Sequence, residues 1–418
     1  MSRGLALALA AALAFAAAGC GTNDVSGLPT VPTLDERGSD GFAAVTVGRD
    51  HTCALDVAGR AYCWGRDADG QLGHPPSASC DTTARGGCSL SAEPVQSAVV
   101  FREISAGARH TCGVSITNVA YCWGSGADDA LGVAQTMSAP GGDVLVPAPV
   151  AGGIAFAAVS AGYSHTCGVA TDGTAYCWGR NDRGQLGTGD TLARSAPAPV
   201  ASGQRFAEIS AGQQRTCART TGGAVFCWGN TWLYREGGLE YSRLETTPQP
   251  VAGALGYDGI SVGTFTTCGV AAQAAYCWEA NPHGEIGDGT TDGSTSPMAV
   301  AGGLQFAQVS AGIIQTCGVT VDRHAYCWGN DSFGQLGVSP GTLSSRCGGP
   351  TLACSEVPVR VIGWRSFVSV QTGLGNHACG LTVDSNIYCW GLGQSGQLGF
   401  GGLVTATSQP LRVAIALR

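Results

Sequence analysis

A hairpin with a cysteine on each arm recurs seven times along this chain, and no other feature limits its fold so strongly. The clearest copy runs Val-Ser-Ala-Gly-Tyr-Ser-His-Thr-Cys-Gly-Val-Ala-Thr-Asp-Gly-Thr-Ala-Tyr-Cys-Trp-Gly over residues 159–179. Two β-rich runs flank Thr171-Asp172-Gly173, a turn signal. A three-residue loop with Gly173 in the left-handed position pairs Ala170 with Thr174. Counting back along both arms sets Cys167 opposite Cys177, within disulfide reach. The other pairs are Cys53 with Cys63, Cys112 with Cys122, Cys217 with Cys227, Cys268 with Cys277, Cys317 with Cys327, and Cys379 with Cys389. Cys268 and Cys277 lie one residue closer together than the rest. A two-residue loop, Ala272-Gln273, keeps even that pair opposed.

First cysteines of successive copies are 59, 55, 50, 51, 49 and 62 residues apart, so the underlying period is near 50. A period of this size signals a repeat architecture. Each copy has a β-rich run such as Phe206–Ala211, the hairpin, a Gly-Gln-Leu-Gly element such as 184–187, and a Pro-x-Pro-Val run such as 197–200. That makes about four short strands per copy, the signature of an all-β, seven-bladed propeller with four-stranded antiparallel blades. The first strand falls at 42–47 and the last at 409–415, and both ends are expected to meet in one blade, leaving neither with a free edge.

Cysteine use points to a compartment. Of 19 cysteines, Cys20 stands alone and eighteen fall into near pairs, the last two being Cys80 with Cys88 and Cys347 with Cys354. No C-x₂₋₄-C zinc knuckle is present. Disulfides outside the cytoplasm are the favoured reading, with reduced structural thiols the alternative. The net charge is −8 and the chain contains no lysine. The arginines do not cluster, which argues against a nucleic-acid surface. A P-loop lysine and Schiff-base chemistry are excluded within this chain.

Residues 1–20 read as an export signal: Arg3, an apolar run from Leu5 to Ala18, then Gly19-Cys20. As a helix the run spans about 21 Å, short of the roughly 30 Å hydrocarbon core. Its ending resembles the bacterial lipoprotein signal, in which the cysteine is lipidated and becomes the new N-terminus. The other reading is a plain secretory signal with an unmodified Cys20. Gly21, not Asp, favours the outer membrane by resemblance to enterobacterial sorting. Residues 21–40 are polar, with Pro29 and Pro32, and read as a flexible tether before a propeller over 41–418.

Taken together, V-S-A-G-x-x-H-T-C-G-V, D-G, A-Y-C-W-G-x-N-x-x-G-Q-L-G resembles the repeat of the regulator of chromosome condensation (RCC1) family. The resemblance covers essentially all of 41–418 and implies seven blades. It departs in four ways: residues 129–132 read Asp-Ala-Leu-Gly, copy 4 replaces the Gly-Gln-Leu-Gly element with Thr231-Trp232-Leu233-Tyr234, Glu279 stands where the other copies have Gly, and copy 7 has one extra residue between Gly373 and Cys379. Paired cysteines are an addition to the family pattern.

Candidate sites divide into regular and irregular positions. His51, His110, His165 and His377 recur two residues before the first hairpin cysteine, where copies 4 to 6 carry Arg215, Thr266 and Gln315. Each is expected to hydrogen-bond within its own blade rather than join a metal ring. The tryptophan after each second hairpin cysteine is read as packing between blades. Trp232, Tyr234 and Tyr241 in the copy 4 insertion are candidate binding residues for a sugar or a protein. The loops at 74–94 and 338–357, each carrying an extra cysteine pair, should occupy equivalent places on one face and recruit a protein or glycan partner. No nucleophile–base set, metal site or cofactor motif stands out. The expected function is therefore that of a non-enzymatic, monomeric binding scaffold, touching the membrane through its lipid only. The alternatives are an enzyme with a site at the propeller mouth and guanine-nucleotide exchange, the latter implied by the family alone.

Overall fold

The computed structural model describes residues 41–80, 87–134, 142–235, 238–253, 255–339, 341–343, 347 and 353–416. The stretches read as an export signal and a tether, with Cys20 between them, lie outside the described residues. Seven four-stranded antiparallel sheets stand around a central channel, each built from four strands consecutive in sequence. In blade 1 these are β1 (Phe42–Val47), β2 (His51–Asp56), β3 (Ala61–Asp67) and β4 (Gly87–Pro94). The innermost strand of each blade lines the channel and the fourth is outermost.

The hairpin between the second and third strands has the register that its spacing predicts. Cys167 faces Cys177 across the pair, and Ala170 N–H donates to Thr174 O at 2.8 Å. In blade 5 Cys268 still faces Cys277, because Ala271 pairs with Ala274. Ala272 and Gln273 both adopt positive φ, 48° and 66°, the conformation that a two-residue hairpin loop needs. The hairpin cysteines of all seven blades form disulfides with Cα–Cα distances of 4.0–4.1 Å. Cys80–Cys88 and Cys347–Cys354 are bonded as well.

The core lies between blades. Each repeat tryptophan is fully or almost fully buried, and it packs against the apolar face of the blade before it. Trp178 sits in one cluster with Leu131 and Val144 of blade 2, and Trp64 in another with Leu381 and Leu398 of blade 7. The last glycine of each Gly-Gln-Leu-Gly element permits this approach. Gly187 has φ +67°, and a Cβ there would lie 2.7 Å from Trp228 Nε1.

Ring closure differs from the sequence expectation. The two ends do not share a blade: blade 1 begins with its own innermost strand and blade 7 ends with its own outermost strand, Ala406–Arg412. The closing junction repeats the bonds found at the others. Phe42 N–H donates to Ser385 O as Phe206 N–H does to Gly173 O. The segment after blade 7 then bonds the outer strand of blade 1, with Ala92 N–H donating to Ala414 O and Ala416 N–H to Ala92 O. Because Phe42 is already in phase with the repeat, blade 7 docks on blade 1 as on any neighbour.

Candidate functional site

The repeated polar residues hold blade to blade. In the Val-Ser-Ala-Gly run the serine hydroxyl accepts a main-chain N–H from the next blade. Thr46 accepts from Ala106, Ser105 from Ala161, Ser160 from Ala211, Ser210 from Val262, Ser261 from Ala311 and Ser310 from Thr372, at 2.9–3.1 Å. These hydroxyls line a central cavity of about 50 Å³. Gln371 occupies the serine position of blade 7 and also lines the cavity.

A second relay lies further out. His51 Nε2 bonds Thr111 Oγ1 at 2.9 Å, His110 bonds Thr166 at 2.8 Å, His165 bonds Thr216 at 2.9 Å and His377 bonds Thr52 at 2.9 Å. Each threonine hydroxyl gives its one proton to a carbonyl of the preceding blade's Gly-Gln-Leu-Gly loop or its equivalent, as Thr216 does to Gln185 O at 2.9 Å. The threonine oxygen must therefore accept from the imidazole, which fixes the neutral Nε2–H tautomer. Burial pushes the imidazoles down to about 3 for His51 and His165 and about 4 for His110 and His377. The expectation that each histidine bonds within its own blade is thus corrected, because the partner is always the next blade. Among the described residues no group of three or more His, Cys, Asp and Glu side chains gathers.

Two of the three copies without histidine have an evident substitute. Gln315 Nε2 donates to Gly375 O of blade 7 at 3.0 Å. Arg215 of blade 4 pairs with Glu279 of blade 5 at 2.6 Å, and Thr267 Oγ1 donates to Glu279 Oε2 at 3.0 Å. Glu279 is buried with φ 90°, and burial pushes its carboxyl up to about 7 against the opposing pull of Arg215.

The irregular residues gather elsewhere. The third strand of blade 4 runs Val225–Arg235 and its outer strand Gly238–Pro250, so the missing Gly-Gln-Leu-Gly element has become a long two-stranded ribbon. Its register sets Trp232 opposite Tyr241 and Tyr234 opposite Leu239. The extra cysteine pairs anchor at equivalent points, Cys88 opposite Arg66 in blade 1 and Cys354 opposite Asn330 in blade 6. Both partners are the second residue after the repeat tryptophan. Much of the loops at 74–94 and 338–357 lies within the described residues, but 81–86, 340, 344–346 and 348–352 do not. The aromatic ribbon and the stapled loops all lie between the third and outer strands.

A family model described as RCC1-like domain matches residues 11–313, and one for the regulator of chromosome condensation (RCC1) repeat matches 367–397. Together with the seven blades, this establishes that the chain belongs to the RCC1-like propeller family. It is 30% identical over 367 residues to the ultraviolet-B receptor UVR8 of Arabidopsis thaliana, covering 85% of this chain and 78% of that protein. It is 28% identical over 289 residues to the human E3 ubiquitin-protein ligase HERC2, covering 65% of this chain but 6% of that protein. Among solved structures, Prp20p of Saccharomyces cerevisiae superposes with a TM-score of 0.71 at 18% identity, covering 86% of this chain and 87% of that one. Human WBSCR16 gives 0.69 at 19%, covering 85% and 94%. At these identities the superpositions speak for the fold.

Proposed function

We propose that this protein is a non-enzymatic binding scaffold, exported, tethered through lipid on Cys20 to the bacterial outer membrane, and addressed to a protein partner. One observation carries the reading: the division between repeated and unrepeated residues. Repeated hydroxyls, imidazoles and indoles are engaged between blades or buried there. The large departures from the repeat, those that change its length, collect in the segments between third and outer strands, at the blade 4 ribbon and the stapled loops of blades 1 and 6. Loops carried by a rigid frame are a common seat of recognition. Protein partners suit a propeller of this family. Prp20p binds Gsp1p and histones, and yeast RCC1 has been seen bound to Kap60. Nucleotide exchange is not carried over, because export would separate the chain from any cytosolic GTPase. A glycan held at Trp232, Tyr234 and Tyr241 is the second reading, favoured by the register that sets Trp232 opposite Tyr241.

The test is site-specific photo-crosslinking in intact cells, with the crosslinker placed in turn at Tyr234, Ser79 and Thr342. Adducts of one discrete protein mass, lost when 231–245 is shortened to a Gly-Gln-Leu-Gly loop, support a protein partner. Absence of adducts at all three sites, in a chain shown to be folded, overturns it. A glycan array that selects one sugar class through Trp232 would move the reading to the glycan.

A further inference from the structure

The seven hairpin bends sit at equivalent positions around one rim of the ring, and their tips are not alike. The first loop residue is Val57, Ile116, Thr171, Thr221, Ala272, Val321 and Val383 in blades 1 to 7. All seven are exposed, and Val57, Ile116, Val321 and Val383 are open to 49%, 63%, 46% and 53%. The four large aliphatic tips belong to blades 6, 7, 1 and 2, which are contiguous in the closed ring. Trp364 lies within that arc at 99% exposure, in the link between blades 6 and 7. Ser366, two residues on, accepts a hydrogen bond from the Val383 N–H at 3.1 Å.

The arc is centred where the chain joins the ring. Gly41 O accepts the Val57 N–H of the blade 1 bend at 3.0 Å, while Phe42 N–H donates to Ser385 O of the blade 7 bend at 2.9 Å. Charge around Trp364 runs against the chain's net −8. Arg323 follows Val321 in the blade 6 bend, Arg365 lies over the Tyr388 ring at 4.0 Å, and Arg412 donates to Asn386 Oδ1. Asp322 and Asp384 are the acids of the same bends, and both accept hydrogen bonds from neighbouring side chains.

We propose that the hairpin-bend face of blades 6, 7, 1 and 2 rests on the surface of an anionic lipid bilayer, with Trp364 at headgroup depth. This deepens the reading that Cys20 carries lipid, rests on that reading for its setting, and replaces the expectation that the lipid alone touches the membrane. A tether of twenty residues reaches at most about 70 Å and does not choose a face. The arc does choose one. Isolated aliphatic tips spaced around a rim match a planar, deformable surface better than a protein partner, which needs a contiguous patch. Tryptophan favours the membrane–water interface, and arginine is drawn to its anionic headgroups.

The experiment uses the full chain purified with its N-terminal modification and reconstituted on vesicles of phosphatidylethanolamine and phosphatidylglycerol with brominated acyl chains. Part of the tryptophan emission should be quenched. That part should vanish in Trp364→Phe, fall in the double variant Val57→Asp with Val383→Asp, and persist in Thr171→Asp on the opposite arc. An unchanged melting temperature shows each variant to be folded. If Cys20 carries lipid, the chain is on the vesicles and Trp364 is unquenched, the proposal is wrong while the anchor stands. If Cys20 proves unmodified, the anchor reading fails. The face must then still bind phosphatidylglycerol vesicles in a salt-sensitive way, weakened about tenfold by the double aspartate variant. Failure to bind overturns the proposal, as does a co-purifying protein that shields Trp364 from lipid.

Discussion

Arg215 and Glu279 meet at 2.6 Å across the junction of blades 4 and 5, where four other junctions use histidine and threonine. The pair couples two departures from the repeat that look unrelated along the chain: an arginine in place of histidine and a glutamate in place of glycine. Glu279→Gly relieves the strain of a non-glycine residue at φ 90° but strands a guanidinium that is mostly buried. The expected cost is about 3 kcal/mol, because breaking one side of a buried pair leaves a charge uncompensated. Adding Arg215→His restores the consensus, with Thr267 as its partner, and should recover most of that loss. A double-mutant cycle in denaturant measures the coupling, and additivity of the two changes would refute it.

Acid should loosen the ring at the histidine junctions. The folded-state values of about 3 to 4 lie below the ordinary imidazole value, so protons favour the unfolded chain. The stabilisation is fully present above pH 6.5 and is lost as pH falls from there toward 3–4. Linkage gives about 2 kcal/mol per histidine at pH 5. His110→Gln, which copies the Gln315 solution of blade 6, should lower that acid sensitivity by one histidine's share. Denaturant midpoints between pH 8 and pH 5 check the slope.

The hairpin staples act on the unfolded chain. The Cys167→Ala, Cys177→Ala double variant should keep the fold and lose about 2–3 kcal/mol, the loop-closure value for so short a loop. A loss shared by all probes of unfolding would show that the blades melt as one unit. A separate early transition in blade 3 would show that they do not.

Gly187 and Gly203 give a contrast in one blade. A Cβ at Gly187 meets the Trp228 ring and forces a side chain into positive φ, whereas nothing lies within 4 Å of a Cβ at Gly203. Gly187→Ala should cost about 2–4 kcal/mol through strain and displaced packing, and Gly203→Ala less than about 0.5 kcal/mol. Melting temperatures of the two variants separate the cases.

The hairpins were legible because their evidence is local. Turn residues, arm lengths and opposed cysteines sit within one copy, so even the shortened loop of blade 5 could be placed. The relays were not legible, for a reason built into repetition. Thr111 and Thr52 are equivalent, so sequence alone cannot say whether His51 bonds its own blade or the next. The structure assigns it to the next, because each sheet packs its second strand against the neighbour. The same ambiguity concealed the Arg215–Glu279 pair and the way the ring closes. At the ribbon, Trp232 and Tyr241 could be identified as irregular, but their cross-strand pairing needed the length of the two strands.

The central claim is an oxidised, stapled ring held at a cell envelope, and non-reducing mass spectrometry of the native protein from membranes tests it most directly. The account predicts nine disulfides in the connectivity described and an acyl mass on Cys20. Eighteen alkylatable thiols on a chain recovered from the cytosol, with Cys20 unmodified, would contradict it.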